Sequence, residues 1–505
     1  MTRFMMVLAA AAWGSTATAQ TDRLITLPEP ESPFIAFNIW VQVGSQNDPE
    51  GKEGLASLTA NLLSDGSTTT LDYQTILARL YPMAAGYGAN VDKEMTVFTG
   101  RVHRDNLDEY YGLFRDALLH PAFREEDFNR VKTQTLAFLE RSRRYSRDEE
   151  LSKDVLFWAA YRGTRYQHPS EGYVESVRDI TLDDVRAFYT KHYLRNGLVV
   201  AVGGGYPTGF PAKVRGEFDA LPQGAVARVP APEPAMPDGI KVIIVEKPAD
   251  AAPISIGAPT PVLRGGPDYW AMVAAASWFG EHRNSFSRLY QVIREARGMN
   301  YGDYAYIEAF PRGYTTQQPP VNIARRSHLF EIWIRPISRT SPTDLHDRTL
   351  FATRAALREF NALVRNGMTA DAVEATKRFL HNYSVKYGST ISRRLAYAVD
   401  DAFYRLPAPG YLASLRPGIG ALDRQQVNAA IGRQLQTDNL WLVFVTSDAE
   451  GLKQKLLSGA PTPITYAGEK PASLLAEDIE IAAYPIPVDA SDITIIPVDE
   501  IFERR

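Results

Sequence analysis

The residues that could bind a catalytic metal are few and widely separated in this sequence. Its eight histidines form no HxH, HxxxH or HxxEH pair, so no two imidazoles can meet on one helix face. Glu281 and His282 match only the end of an HxxEH motif, because its first histidine falls on Trp278. The sequence also lacks cysteine and a GxSxG nucleophile elbow. We therefore predict that this chain holds no catalytic metal by itself.

A helix predicted within residues 43–67 (VGSQNDPEGKEGLASLTANLLSDGS) nevertheless resembles a known zinc site. The segment is similar to the HxxEH region of the insulinase-like, or pitrilysin-type M16, metallopeptidases. In that family the two histidines bind zinc, the glutamate activates water, and a distal glutamate completes the ligands. The motif positions correspond here to Ser57, Ala60 and Asn61, and the distal position to Glu140. The resemblance thus implies a degenerate zinc site, and we expect Glu140 to be a solvated helix residue.

A second similarity to this family lies in residues 287–301 (SRLYQVIREARGMNY). Active members carry an arginine and a tyrosine seven residues apart here, and both bind the substrate backbone and its developing oxyanion. Arg294 and Tyr301 stand at these positions, which implies catalytic and substrate-binding roles for them. From the residues alone, the alternative is an amphipathic surface helix whose arginines are solvated. Residues 73–123 and 182–202 are also similar, so the resemblance covers most of the chain.

The elements that must position these residues occur in two copies. Residues 180–203 and 421–446 both read as a helix followed by a hydrophobic strand, and the short segments 128–132 and 373–377 repeat at nearly the same offset. Between the copies lies the proline-rich segment 221–239, which has no hydrophobic period and is typical of a linker. The pattern therefore predicts one α/β unit that is present twice.

Within the first unit, the periodicity predicts a strand at 34–43, a helix at 54–63 and a strand at 95–102, and residues 310–322 read as a loop insertion. The expected fold class is α+β, with two pseudo-repeated M16-type α/β sandwich domains that face each other across a cleft. The predicted organisation is a signal peptide at 1–19, an N-terminal domain at 20–220, the linker at 221–239, a C-terminal domain at 240–460 and an extended tail at 461–505.

Composition narrows the environment of the protein and its partners. The 505 residues include 55 basic and 59 acidic ones, which are mixed along the chain, so no basic block is available for a nucleic acid. After the N-terminus no apolar stretch reaches the length of a membrane span. The basic, apolar and small residues of segment 1–19 predict a cleaved secretory signal, and we expect a periplasmic protein.

The resemblance implies a non-catalytic subunit of a heterodimeric zinc peptidase. A partner with its own HxxEH motif would hold the zinc, and this chain would contribute Arg294 and Tyr301 to peptide binding. Two alternatives remain open at this stage. The first is a peptide-binding or scaffold protein without a peptidase partner, and the second is a free-standing peptidase with unrecognised ligands. Genomic adjacency to a gene for an HxxEH relative distinguishes the heterodimer from the scaffold protein. A metal assay on the isolated chain distinguishes the heterodimer from the free-standing peptidase.

Overall fold

The fold is taken from a computed structural model, which describes residues 24–227, 229–281, 283–310, 319–338 and 342–504. The predicted signal peptide, His282 and part of the predicted loop insertion therefore lie outside the described residues. No helix within the described ranges is long and apolar enough to cross a bilayer.

The first half of the chain contains five strands and eight helices within these described ranges. In chain order they are β1 (Leu24–Pro28), β2 (Phe34–Val41), α1 (Leu55–Ser64), α2 (Tyr73–Leu80), β3 (Gly86–Val91), β4 (Thr96–His103), α3 (Leu107–Leu119), α4 (Glu125–Ala137), α5 (Asp148–Ala160), α6 (Val174–Asp179), α7 (Leu182–His192), β5 (Leu198–Gly204) and α8 (Phe210–Phe218). A π-helical turn at Phe138–Arg143 joins α4 to α5.

The second half repeats this plan and adds a C-terminal extension. Its elements are β6 (Ile240–Glu246), β7 (Ala251–Thr260), α9 (Tyr269–Gly280), β8 (Asp303–Tyr306), β9 (His328–Ser338), α10 (Pro342–Asn366), α11 (Ala370–Tyr383), α12 (Ile391–Tyr404), α13 (Tyr411–Gly420), α14 (Arg424–Gln434), β10 (Leu440–Thr446), α15 (Ala449–Ser458), α16 (Ala472–Ala482) and β11 (Ile493–Pro497). A second π-helical turn lies at Tyr290–Glu295.

The two sheets have the same strand order, which confirms the predicted repeat. The first runs β1-β5-β2-β4-β3, and the second runs β6-β10-β7-β9-β8 with β11 added outside β6. In both, the first strand pairs in parallel with the last strand of its unit, and the remaining pairs of the unit are antiparallel. The predicted α+β class is confirmed, as are the predicted strands and helix in residues 34–103, to within two residues at most ends.

Each sheet is covered on one face by a helix from the opposite half of the chain. Helix α5 packs on β7 and β10 of the second sheet, and its Leu151, Val155 and Leu156 belong to one apolar cluster with residues of β6 and β10. Helix α12 packs Ile391, Leu395 and Val399 against Trp40 and other apolar residues of the first sheet. Both contacts consist of fully or almost fully buried apolar side chains, and burial of each large one stabilises the fold by about 1.5–3 kcal/mol. This reciprocal helix exchange makes the two halves mutually dependent.

Four buried ionisable groups connect α12, which packs on the first sheet, to the rest of the second half. The Arg264 guanidinium lies 2.7 Å from Glu308 and 2.9 Å from Asp400, and Arg325 bridges the same two carboxylates. Burial raises the pKa of Glu308, but Arg264 and Arg325 outweigh this effect and hold it at about 2. Burial raises the pKa of Asp400, although Arg325 and Arg264 oppose this effect. The four groups thus lie together, two guanidinium groups against two carboxyl groups, in a buried space. We refer to them below as the buried charge cluster.

The C-terminal tail departs from the extended segment expected at 461–505. It contains helix α16, and its strand β11 pairs in parallel with β6. Helix α16 forms because it has a buried side: Asp478 accepts a hydrogen bond from the Nε of Arg297 at 2.8 Å. Beyond β11 the chain returns to the first half, where the backbone N–H of Val174 donates to the carbonyl of Phe502. The tail therefore links the second sheet to α6.

The attachment of the tail to the first half predicts unequal roles for two arginines. The buried Arg144 donates to the Ile501 carbonyl at 2.8 Å and to the Glu503 carboxylate at 2.7 Å, whereas Arg178 contacts Glu503 with a half-exposed side chain. We expect Arg144→Ala to lower the free energy of unfolding by about 1–3 kcal/mol, because a buried carbonyl loses its charged donor. Arg178→Ala, the matched control, should cost less than about 1 kcal/mol. Urea unfolding checks this, and equal losses would contradict it.

Candidate functional site

A polar cavity of about 870 Å³ lies between the two halves. The first half lines it with α1, β3, α4, α5 and the loop at 166–171, and the second half contributes Ala309, residues 320–324 and Ser327. Strand β3 is the edge strand of the first sheet, so one backbone edge of that sheet borders the cavity. The volume lies within the range of about 300–1,000 Å³ that is typical of ligand pockets.

Helix α1 places the predicted zinc-motif positions at this cavity. Ser57 and Asn61 both line it, one helical turn apart, and Asp65 lines it a further turn along. Ala60 is fully buried and belongs to the apolar core of the first half. The helix therefore presents a hydroxyl and an amide at the two positions that correspond to the histidines of the motif.

The start of α1 is held in place by Asp48. Its buried carboxylate accepts hydrogen bonds from the backbone N–H groups of Gly54, at 2.8 Å, and Ala56, at 2.7 Å. Gly54 has a φ of +103°, and a Cβ there would lie 2.4 Å from the carbonyl oxygen of Glu171. Glycine is thus required at this close approach, which fixes α1 against the loop that also borders the cavity.

The donors on α1 do not fit a zinc ion. Ser57, Ala60 and Asn61 supply a hydroxyl, a methyl and an amide, and none of these is an imidazole or carboxylate ligand. Glu140 does not line the cavity, and its carboxylate forms an ion pair at 2.6 Å with the half-exposed Arg178. Within the described part of the chain, no three histidine or acidic side chains are grouped closely enough to bind a metal.

A buried amine lies in the cavity wall near β3. The ammonium of Lys93 donates to the backbone carbonyl of His168 and lies 5.5 Å from the ring centroid of Phe157. Burial lowers the pKa of Lys93 to about 8, and burial with the neighbouring Lys93 lowers that of His168 to about 3. At neutral pH His168 is uncharged, and Lys93 contributes positive charge that falls as the pH rises through 8.

Helix α5 and the turn before it add a charged wall that the sequence reasoning missed. Arg143 pairs with Glu171 at 2.9 Å and with Asp154 at 3.3 Å, and all three line the cavity. Burial raises the pKa of Asp154 to about 6, although Arg143 opposes this effect. The run of arginines between positions 141 and 147 was the available signal, but its orientation toward a cavity depends on the π-helical turn.

Arg294 and Tyr301 lie beside each other, as their predicted joint role requires. The guanidinium carbon of Arg294 lies 4.5 Å from the ring centroid of Tyr301 and 4.7 Å from that of Tyr290. Tyr301 is 63% exposed, and Arg335 approaches its ring at 5.6 Å. The backbone turns at Gly298, and strand β8 begins at Asp303. The stacked rings hold the guanidinium in a defined orientation.

The structure does not bring this pair into the cavity that Ser57 and Asn61 line. The cavity wall of the second half is formed around residues 320–324, and neither Arg294 nor Tyr301 contributes to it. The two sets of predicted site residues therefore occupy separate places in this arrangement of the chain.

Zinc content provides a direct test of the α1 assignment. We expect no stoichiometric zinc in the isolated chain. We expect a Ser57→His/Ala60→Glu/Asn61→His variant to take up zinc, because the face of α1 is retained, but to have weak peptidase activity, because the groups that orient the ligands are missing. Since Ala60 is fully buried, the metal-free triple variant should lose more than about 2 kcal/mol of stability, and Ser57→His/Asn61→His is the control for this loss. Elemental analysis measures the zinc content, and thermal unfolding measures the stability. A folded triple variant without zinc, or zinc in the wild type that is lost with Glu140→Ala, would contradict the assignment.

Comparison with known proteins follows the two halves of the chain. The model of the insulinase family, peptidase family M16, matches residues 23–172, and the model of the peptidase M16 inactive domain matches residues 179–380. The chain is 26% identical over 300 residues to an uncharacterized zinc protease of Streptomyces coelicolor, which covers 57% of this chain and 63% of that protein. This chain thus spans just under two thirds of the length of the first curated relatives that it matches.

A relative that is named as a non-peptidase matches this chain over a longer range. The non-peptidase homolog YmxG of Helicobacter pylori is 24% identical over 409 residues, which is 80% of this chain and 87% of that protein. Among solved structures, a peptidase M16 inactive domain from Pseudomonas fluorescens has a TM-score of 0.71 at 23% identity and covers 84% of this chain and 95% of its own. At that identity the structural likeness establishes the fold.

Proposed function

The chain belongs to the insulinase-like peptidase family M16 and has an inactive-type homologue, and from this premise we propose that it is the non-catalytic subunit of a heterodimeric zinc peptidase. A partner with an HxxEH motif supplies the zinc and the activated water. This chain supplies peptide binding and transition-state binding to a composite active site. The proposed compartment is the periplasm, on the strength of the signal-like residues 1–19.

The observation that carries this proposal is a retained cavity beside a zinc-motif helix that has lost its ligands. Asn61 and Ser57 line this partly enclosed space, and the edge strand β3 borders it. An exposed sheet edge offers unpaired backbone groups that an extended peptide can bind by adding a strand. The arrangement therefore supports peptide binding without hydrolysis by this chain.

Arg294 and Tyr301 are the proposed contribution to catalysis. A guanidinium stacked between two tyrosines is already oriented, so it loses little conformational entropy when it binds a carbonyl oxygen. The high exposure of Tyr301 leaves its phenol accessible to a substrate or to a second subunit. Hydrogen bonds from both groups would stabilise the oxyanion that forms when water attacks a peptide carbonyl.

Native purification tests the heterodimer. We expect the chain to copurify with an HxxEH-bearing relative, with zinc in proportion to that partner, and we expect peptide hydrolysis only by the pair. A zinc-containing chain that hydrolyses peptides alone would instead establish the free-standing peptidase.

A second candidate is a peptide-binding scaffold without a peptidase partner. The separation of Arg294 and Tyr301 from the cavity favours it, because this chain then has a binding space but no oxyanion donors within it. Native purification as a single species that binds peptides and hydrolyses none would support this alternative.

A further inference from the structure

The turn before α5 places one unpaired cation in the cavity between the halves. Arg147 precedes the helix and lines the cavity, and its guanidinium carbon lies 5.6 Å from the ring centroid of Phe138. Arg143 contacts the same ring at 5.5 Å, so the aromatic side chain holds both guanidinium groups at the cavity wall. Arg143 is neutralised by Asp154 and Glu171. Arg147 has no carboxylate partner within the described ranges.

The acidic residues that follow Arg147 in sequence are all engaged elsewhere. Asp148 pairs with Lys247, Glu149 pairs with Arg335 at 2.9 Å, and Glu150 pairs with Lys153 at 2.6 Å. Three acids directly after an arginine suggest local neutralisation, but the fold directs each of them to another cation. The charge of Arg147 therefore remains available to a molecule in the cavity.

Two further carboxylates that line the cavity have hydrogen-bond partners other than Arg147. Asp92 accepts a hydrogen bond from the backbone N–H of Ala324 at 3.1 Å, and Asp65 accepts one from the Tyr73 hydroxyl at 3.4 Å. Since arginine stays protonated at every physiological pH, a guanidinium in a partly enclosed space is best matched by an anion from outside. Its planar fork of N–H donors fits the two oxygens of a carboxylate.

We infer that Arg147 binds a carboxylate of the peptide that enters the cavity, and this inference rests on the proposed peptide-binding function. The carboxylate belongs either to an aspartate or glutamate side chain or to the C-terminus of the peptide. Arg147 is thus a specificity-determining residue, and it gives this chain a preference for acidic or C-terminal segments over neutral ones.

The test uses four matched short peptides and the full chain expressed in its own host, with any subunit that accompanies it. The peptides share one sequence with a central glutamate or glutamine, and each has a free or an amidated C-terminus. Fluorescence anisotropy measures the dissociation constant of each peptide. We expect the wild type to bind peptides with the relevant carboxylate about tenfold more tightly than the neutral peptide, and added salt to reduce this difference. The two arms distinguish the side chain from the C-terminus.

Variants of Arg147 then test whether this residue causes the preference for peptides with a carboxylate. Arg147→Ala should bind all four peptides alike, Arg147→Lys should keep part of the preference, and Arg141→Ala should keep all of it, because Arg141 is exposed and does not line the cavity. Circular dichroism confirms that each variant is folded. If wild type binds all four peptides equally, or if Arg147→Ala retains the preference, the inference is overturned while peptide binding stands. If no peptide binds to any form, the proposed function itself fails, and the inference with it.

Discussion

Replacing Arg294 by alanine in the reconstituted heterodimer is expected to lower kcat about a hundredfold or more, which corresponds to roughly 3 kcal/mol of lost transition-state stabilisation. The physical reason is the loss of a charged donor to the developing oxyanion. Tyr301→Phe should also lower kcat, and because it keeps the ring that stacks on Arg294, it removes only the hydroxyl. Arg294→Lys should fail substantially as well, since a point charge does not replace a planar fork.

Steady-state kinetics of the mixed subunits measures this effect, after size exclusion has shown that each variant still assembles. Arg378→Ala is the control, because that arginine is exposed on α11 and lies outside both predicted sets of site residues. A surface role for Arg294 and Tyr301 makes a different prediction, namely small changes in stability and unaltered turnover. Turnover within twofold of wild type for both substitutions would remove the catalytic role and leave the scaffold alternative.

The buried charge cluster should be the most sensitive site for stability. Asp400→Asn leaves Arg264 and Arg325 with one carboxylate between them in a fully buried space, and we expect a loss of about 3–5 kcal/mol in the free energy of unfolding. The large cost arises because an uncompensated guanidinium charge stays buried. In addition, Asp400 connects α12 to the rest of the second half. Denaturant unfolding measures the loss.

A matched control for this substitution lies at the surface. Asp268 pairs with Arg433 at 2.6 Å, and the arginine side chain is 57% exposed. Asp268→Asn should therefore cost less than about 1 kcal/mol, since solvent screens that pair. Similar losses for the two substitutions would show that burial of the charge cluster does not decide its contribution.

The repeat could be predicted from the sequence because it depends on local patterns, namely the periodicity of apolar residues and the order of helices and strands. Alternating apolar residues in β2 and the leucine stripe of α1 define elements that form in the positions expected, and the helix–strand order recurs in α14 and β10. The lack of an HxxEH motif can be read from the residue types alone. The pairing of Arg294 with Tyr301 was implied by the family resemblance, and the two side chains do lie beside each other.

The parts that sequence reasoning missed depend on long-range pairing. An apolar stripe on α5 does not specify which sheet will bury it, and it packs on β7 and β10, which begin more than eighty residues later. The tail reads as extended because its helix α16 depends on Arg297 in a distant segment. The charged cavity wall could not be predicted from the sequence. The three acidic residues directly after Arg147 suggest ion pairs with it, but in the fold each of them pairs with another cation.

The reciprocal helix exchange has a consequence for biosynthesis. The last strand of the first sheet ends at Gly204, but the helix that covers its open face, α12, ends only at Tyr404. At typical synthesis rates of about 5–20 residues per second, the apolar face around Trp40 stays uncovered for roughly 10–40 seconds until α12 has been synthesised. The first sheet thus cannot complete its fold while the second half is still being made, and a nascent chain of this kind depends on protection from aggregation during that interval.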